Sequence, residues 1–95
     1  KGMKVAIIDS GVDYTHPDLK ANYIGGYDTV DEDNDPMDGN VHGTHVAGII
    51  AGNGKIKGVA PNASILAYRV MNDGGTGTTD DIIQGIERAI QDGAG

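Results

Sequence analysis

The chain has 95 residues, a length that allows one small domain at most. Its formal net charge of −7 argues against nucleic acid or an acidic membrane surface as a partner. No apolar run is long enough to span a bilayer. The chain has no cysteine, so disulfide bonds give no indication of its cellular compartment.

The first predicted element is a strand over the apolar residues 5–8, which is typical of a strand buried on both faces of a parallel sheet. Asp9 follows at the carboxyl end of this strand. In open α/β sheets that edge is where binding and catalytic sites are built. Asp9 is therefore a candidate site residue, although this segment alone is equally compatible with a carboxylate that caps a turn.

An acidic segment follows a weaker predicted strand over residues 23–27. Residues 28–40 hold six of the fourteen acids in the chain. A flexible solvated loop is the usual explanation for such a run of charge. The alternative is a calcium ion, which takes about six to eight oxygen ligands. The alternating carboxylates partly resemble an EF-hand loop, but the glycine and the terminal glutamate of that motif are absent.

The segment His42-Gly43-Thr44-His45-Val46-Ala47-Gly48 predicts the start of a helix that ends at Gly52-Asn53-Gly54. Both histidines therefore lie in the first turn. Gly43 and Gly48 carry no side chain, so another part of the chain can pack close to this helix.

A second clear strand is predicted over residues 63–70, followed by a glycine-rich loop over 74–77 and a helix capped by Thr78 or Thr79. The apolar face of that helix is predicted to contain Ile82, Ile83, Ile86, Ala89 and Ile90. This order of strands and helices predicts an α/β fold in which helices flank a parallel sheet.

A carboxylate that faces a histidine has a specific chemical use. Because the amino ends of the helices lie at the carboxyl edge of such a sheet, Asp9, His42 and the loop 74–77 should meet there. The acid would fix the tautomer of the imidazole and stabilise its protonated form, which makes the pair a general base for a hydroxyl or thiol nucleophile. The chain has no cysteine, and neither Ser10 nor Ser64 is expected within reach of His42.

Two other classes of site fit the sequence less well. A zinc site built on His42 and His45 would need at least one more ligand. A nucleotide-binding site is disfavoured, because the first strand leads to Asp9-Ser10-Gly11 and not to a G-x-G-x-x-G turn.

Four blocks of the sequence together resemble the amino-terminal part of the catalytic domain of subtilisin-like serine proteases. They occur in the family's order, at residues 9–13, 16–19, 42–48 and 58–61. The resemblance implies a three-layer sandwich, incomplete in this chain, with residues 1–95 forming part of one catalytic domain. Within the family, the chain is similar to large secreted bacterial proteases of the minor extracellular type, which implies secretion.

The same resemblance implies roles for individual residues. Asp9 would orient His42, and His42 would act as the general base and then as the acid of peptide-bond hydrolysis. His45 would pack beneath the site. Gly75, Thr76 and Gly77 would form an edge strand that hydrogen-bonds an extended peptide or protein substrate.

The family's nucleophilic serine and oxyanion-hole asparagine lie in blocks beyond the matched part, so the isolated chain is expected to be inactive. The first strand should also lack one lateral neighbour, which predicts self-association of the isolated chain. A propeptide is a further possible partner. The alternative function is that of a calcium-stabilised, non-catalytic relative acting as a binding or structural module.

Residues 26–42 are similar to the calcium loop of thermitase-like members of the family. This likeness implies a structural calcium bound by Asp28, Asp31 and Asp33, with Asp35 and Met37 at further ligand positions, Met37 through its carbonyl. A second calcium site of the family, which uses Asp18, is not expected because the loop over 52–57 is short.

Overall fold

The computed structural model describes residues 3–54 and 58–94, and its elements follow the predicted order. The strands are β1 (Lys4–Asp9), β2 (Tyr23–Asp28) and β3 (Ser64–Arg69), and the helices are α1 (His42–Ala51) and α2 (Thr79–Gln91). Thr78 caps α2, since its hydroxyl accepts a hydrogen bond from the backbone N–H of Asp81. No helix within the described ranges is long and apolar enough to cross a membrane.

The three strands form one parallel sheet in the order β1-β3-β2. The register places the last residues of the strands side by side, with Asp9 and Asp28 both opposite Arg69. The carboxyl ends of all three strands therefore meet at one edge, as the sequence predicts. β1 has β3 as its one neighbour within the described sheet, and the self-association expected from this open edge stays a prediction.

The sheet carries a helix on each face, because successive side chains of a strand point to opposite sides. One apolar cluster joins Ile7 and Ile65 to Ala47 and Ala51 of α1. The other joins Leu66, Tyr68 and Val70 to Ala89 of α2, with Ile82 packed against it. The α/β fold with three layers is confirmed.

Both faces of β1 pack against a cluster, as the sequence predicts, with Val5 and Ile7 on one side and Ala6 and Ile8 on the other. Only Ile7 is fully buried, because β1 has a sheet neighbour on one side in the described structure.

One packing prediction is wrong. The apolar face of α2 turns partly to solvent. Its contact with the sheet runs through Ile82, Gly85 and Ala89, and three predicted face residues are exposed: Ile83, Ile86 and Ile90.

The physical reason for the narrow contact of α2 lies at Gly85. A Cβ atom at this position would lie 2.6 Å from Cγ1 of Val70 and 3.3 Å from Cγ2 of Ile8, so the helix backbone approaches the sheet directly.

The prediction about the loop 52–57 and a second calcium site rests partly on residues 55–57, which lie outside the described residues.

Candidate active site

Asp9 and His42 are in direct contact at the carboxyl edge of the sheet. Oδ2 of Asp9 lies 2.8 Å from Nδ1 of His42, and Oδ1 accepts a hydrogen bond from the backbone N–H of Ser10 at 2.7 Å. A carboxylate can only accept hydrogen bonds, so Nδ1 of His42 carries the proton and Nε2 of the neutral ring is the free base. The pairing that the sequence predicts is present in the structure.

The imidazole combines an anchored nitrogen with an open one. The side chain of His42 is 65% exposed and that of Asp9 is 14% exposed. His42 also lines an open groove, together with Val41 and Ile49. A proton donor can therefore approach Nε2 from the groove, while Asp9 stabilises the cation that forms when the ring is protonated.

The first turn of α1 lies against the segment that follows β1. A Cβ atom at Gly43 would overlap the carbonyl oxygen of Gly11, so only glycine permits this approach. The prediction of close packing is confirmed at Gly43. At Gly48 an added Cβ would meet no described atom within 4 Å, and the close approach to this part of α1 is made instead by Gly58, which lies against the carbonyl oxygen of Gly48.

Replacing Gly43 with alanine should therefore displace α1 from the Asp9 segment. We expect the Gly43→Ala substitution to lower the free energy of unfolding by about 1–3 kcal/mol, the usual cost of overpacking. The distance between Asp9 and His42 should also increase. Gly48→Ala is the matched control in the same helix and should be neutral or slightly stabilising, because alanine is the better helix former. Urea unfolding measures both, and equal stabilities for the two variants would contradict this account.

Neither serine of the chain is a nucleophile for this histidine. Ser10 is 1% exposed, its hydroxyl donates to Asp38 at 2.8 Å, and the same oxygen accepts from the N–H of Gly43 at 3.0 Å. Ser64 is the first residue of β3 and lies opposite Lys4, at the other edge of the sheet. The prediction that His42 lacks a partner hydroxyl from these two residues agrees with their positions.

The proposed substrate segment 75–77 is not a regular strand in the described structure, so the prediction of an edge strand there is wrong as secondary structure. The reason is local. The backbone N–H of Asn72 donates to the carbonyl of Thr76 at 2.8 Å, and Oδ1 of Asn72 accepts from the N–H of Thr76 at 3.1 Å, which closes a turn. The loop does reach the site, because Nδ2 of Asn40 donates to the carbonyl of Asp73 at 2.7 Å.

His45 lies on the exposed face of α1 and borders the groove. The expectation that it packs beneath the site is therefore wrong in this structure. The zinc alternative gains no support either. The His/Cys/Asp/Glu cluster that could hold a metal among the described residues is made of aspartates, and Nδ1 of His42 is already paired with Asp9.

Three of the five predicted calcium ligands are brought together. Asp28, Asp31 and Asp33 each offer a carboxylate oxygen, and these oxygens lie within 4.8 Å of one another. Asp35 lies outside this cluster and accepts a hydrogen bond from the hydroxyl of Tyr14 at 2.6 Å, which helps to raise the pKa of that tyrosine to about 12. The carbonyl of Met37 packs against Gly11.

The chemistry of this aspartate cluster fits calcium, because hard oxygen ligands are what that ion prefers. The cluster also has a cation of its own. Nη1 of Arg69 lies 2.9 Å from Oδ2 of Asp28 and 3.1 Å from Oδ2 of Asp31, and Nη2 lies 3.1 Å from Oδ1 of Asp73. Burial alone would lower the pKa of Arg69, but its bond to Asp28 and the neighbouring charges raise it above the ordinary value. A calcium ion here would therefore share its ligands with a guanidinium.

Sequence reasoning missed two residues that organise this edge. Asp38 accepts hydrogen bonds from both the β1 end and the α1 start, and Arg69 joins the acidic loop to the sheet. A signal existed for Arg69, since a lone charged residue at the end of an apolar strand needs an acidic partner when buried. For Asp38 the signal was its place four residues before His42, close to a helix start.

The fold and this pair narrow the class of protein. An aspartate bonded to a histidine at the carboxyl edge of a parallel sheet is an arrangement that some hydrolases use to activate a hydroxyl or thiol. Comparison with known proteins identifies the family, because the model of the subtilase family matches residues 1–95. The chain belongs to the subtilase family.

Similar proteins of known name agree with this membership. The minor extracellular protease Vpr of Bacillus subtilis (strain 168) is 58% identical, over 99% of this chain and 13% of that protein. An intracellular serine protease of Paenibacillus polymyxa is 52% identical, over 96% of this chain and 30% of that protein. The crystal structure of a cold adapted subtilisin-like serine proteinase superposes with a TM-score of 0.90 at 41% identity, over 99% of this chain and 33% of that one.

The chain thus spans a third or less of the length of these relatives. The relatives include proteins named as extracellular and as intracellular, so family membership alone does not fix the compartment.

Proposed function

We propose that this chain supplies the aspartate and histidine of a serine endopeptidase that uses a Ser-His-Asp triad. The observation that carries the proposal is the 2.8 Å contact between Oδ2 of Asp9 and Nδ1 of His42, in a chain of the subtilase family. The nucleophilic serine is provided by polypeptide outside these 95 residues, so the isolated chain is inactive.

The contact between Asp9 and His42 supports the following steps of the reaction. His42 takes the proton of the serine hydroxyl at Nε2 as the serine oxygen attacks the peptide carbonyl carbon. The carboxylate of Asp9 stabilises the resulting imidazolium. That imidazolium then gives its proton to the leaving amine, which breaks the peptide C–N bond and leaves an acyl-enzyme. A water molecule, deprotonated by His42 in the same way, hydrolyses the ester and restores the serine.

The substrate in this proposal is an extended segment of a protein or peptide, bound along residues 75–77. The link between Asn40 and Asp73 supports this assignment, because it holds the loop beside the start of α1. Asn72 already bonds to the N–H and carbonyl of Thr76 and accepts from the N–H of Gly75. A substrate strand would therefore pair with Gly77 and with the carbonyl of Gly75.

Two further parts of the proposal concern stability and location. A structural calcium is bound by Asp28, Asp31 and Asp33, whose carboxylate oxygens converge. Secretion is proposed because of the similarity to the extracellular protease Vpr. Both the structural calcium and secretion are compatible with a propeptide that folds with the catalytic domain.

An active-site label tests the catalytic proposal. A fluorophosphonate probe should label one serine of the complete protein, and the His42→Ala variant of the same protein should show no labelling because its serine is no longer activated. A folded, calcium-stabilised protein that neither reacts with the probe nor cleaves peptides would contradict the proposal. That result would favour the non-catalytic binding module.

A further inference from the structure

The carboxylate of Asp38 lies between the end of β1 and the start of α1. Its Oδ1 accepts hydrogen bonds from the hydroxyl of Ser10 at 2.8 Å and from the backbone N–H groups of Asn40 and Val41 at 2.8 and 2.9 Å. Its Oδ2 accepts from the N–H and the hydroxyl of Thr44 at 2.9 and 2.6 Å. Donors from three chain segments therefore converge on one carboxylate.

The start of α1 depends on these contacts. Val41 occupies the N-cap position at φ 76°, in the left-handed region, and its apolar side chain makes no capping hydrogen bond. The first N–H groups of a helix have no partner inside the helix. Asp38 satisfies the N–H of Thr44, and the hydroxyl of Ser10 satisfies the N–H of Gly43. Side chains outside the helix thus hold the turn that carries His42.

The same contacts reach the other half of the catalytic pair. Ser10 follows Asp9 directly, and its backbone N–H donates to Oδ1 of that residue at 2.7 Å. The hydroxyl of Thr44 also accepts from the N–H of Asp13 at 2.8 Å. The segment after β1 and the first turn of α1 are therefore joined by two further hydrogen bonds next to the Asp9–His42 bond.

We propose that Asp38 is a positioning residue, which keeps the carboxylate of Asp9 aligned with Nδ1 of His42 by bonding to Ser10 and Thr44. This inference rests on the proposed function, since it concerns the same catalytic pair. Asp38 acts through these two neighbours and does not itself take part in proton transfer.

Both carboxylate oxygens of Asp38 are engaged in this way. Oδ1 accepts from the hydroxyl of Ser10 and Oδ2 accepts from Thr44, so one carboxylate bonds to both of the segments that carry the catalytic pair.

Asp38→Ala in the complete protein is the first test. We expect kcat to fall about 10- to 100-fold with KM nearly unchanged, since a small misalignment of a catalytic group affects the chemical step more than binding. The low-field proton resonance of Nδ1 of His42 should weaken or shift, because it reports the bond to Asp9 directly. Asp38→Asn keeps one acceptor oxygen and should lose less activity.

Asp92→Ala is the matched control. It also removes a carboxylate that joins two elements, since Oδ2 of Asp92 accepts from the hydroxyl of Tyr68 at 2.6 Å at the carboxyl end of α2. This variant should lose stability while kcat and the His42 resonance stay as in the parent. If the role of Asp38 were purely structural, Asp38→Ala would likewise lose stability while kcat and the His42 resonance stayed as in the parent.

The outcome that overturns the inference is a folded Asp38→Ala variant with parental kcat and an unchanged His42 resonance. If that variant does not fold, Ser10→Ala decides, because it cuts the link between Asp38 and Gly43 and must then lower kcat and shift the resonance. An unmutated protein without peptidase activity or labelling contradicts the proposed function instead. The resonance still tests the positioning of the pair in that case.

Discussion

Replacing His42 with alanine in the complete protein should lower kcat by about 10⁶-fold, which amounts to loss of peptide hydrolysis. Subtilisin, a member of the same family, shows a loss of this size when its triad histidine is removed. The physical reason is that the imidazole performs both proton transfers. Among the described residues, His42 is the base that is held by a carboxylate and open on its other side.

Asp9→Asn should have a smaller effect of about 10⁴-fold on kcat, because it preserves the shape of the site but removes the charge. The asparagine amide can donate to Nδ1 of His42 and so favour the tautomer that carries its proton on Nε2. That tautomer cannot accept the serine proton. The double variant should be no slower than His42→Ala alone, since the two residues act as one unit.

Steady-state cleavage of a peptide ester and a peptide amide measures these losses. Glu87→Gln is a suitable control, because Glu87 is exposed on α2 and lies outside the site, so its removal changes charge alone. It should keep parental kcat and KM. Near-parental kcat in either Asp9→Asn or His42→Ala would refute the roles given to this pair.

The architecture could be predicted from the sequence because each element carries its own local signal. The apolar runs before Asp9 and within β3 have the continuous hydrophobicity of parallel strands, and Thr78 is a recognisable cap of α2. What local signals could not give was the depth of packing. The exposure of Ile83 and Ile86 follows from where Gly85 contacts the sheet, which no pattern along the chain records.

The catalytic pair was predictable for a similar reason. Asp9 at a strand end and His42 at a helix start are brought together by the topology alone. Asp38 and Arg69, which organise this edge of the sheet, were not predicted, because their roles depend on distances between segments of the chain. Asp38 is one of six acids in the segment 28–40, and only its place four residues before His42 sets it apart from the others in the sequence.

Arg69 shows why the acidic loop cannot be interpreted from its composition. Its side chain is 9% exposed and that of its partner Asp28 is 3% exposed, so this is a buried ion pair, while Asp31 and Asp73 are largely exposed. Nε of Arg69 is buried without a hydrogen-bond partner among the described residues. The guanidinium thus offsets part of the negative charge that would otherwise require a metal ion or solvent.

Arg69→Met should destabilise the complete protein by about 3 kcal/mol, near the lower end of the cost of breaking a buried ion pair. The variant leaves the carboxylate of Asp28 buried without its countercharge. The neighbouring aspartates add little to the loss, because they stay in water. Arg88→Met is the matched control. It removes a guanidinium that lies 3.9 Å from the centre of the Tyr27 ring, a contact worth about 1 kcal/mol at most at such a site.

A calcium titration distinguishes a metal site formed by the carboxylates from a cluster whose negative charge is already balanced by Arg69. If Asp28, Asp31 and Asp33 bind calcium, the added ion should raise the melting temperature of Arg69→Met more than that of the parent, because the ion binds the carboxylates that the guanidinium has vacated. Asp28→Asn should show a reduced calcium response. Equal shifts in all three proteins would place any bound calcium elsewhere, and Arg69 would then be the cation that stabilises this loop.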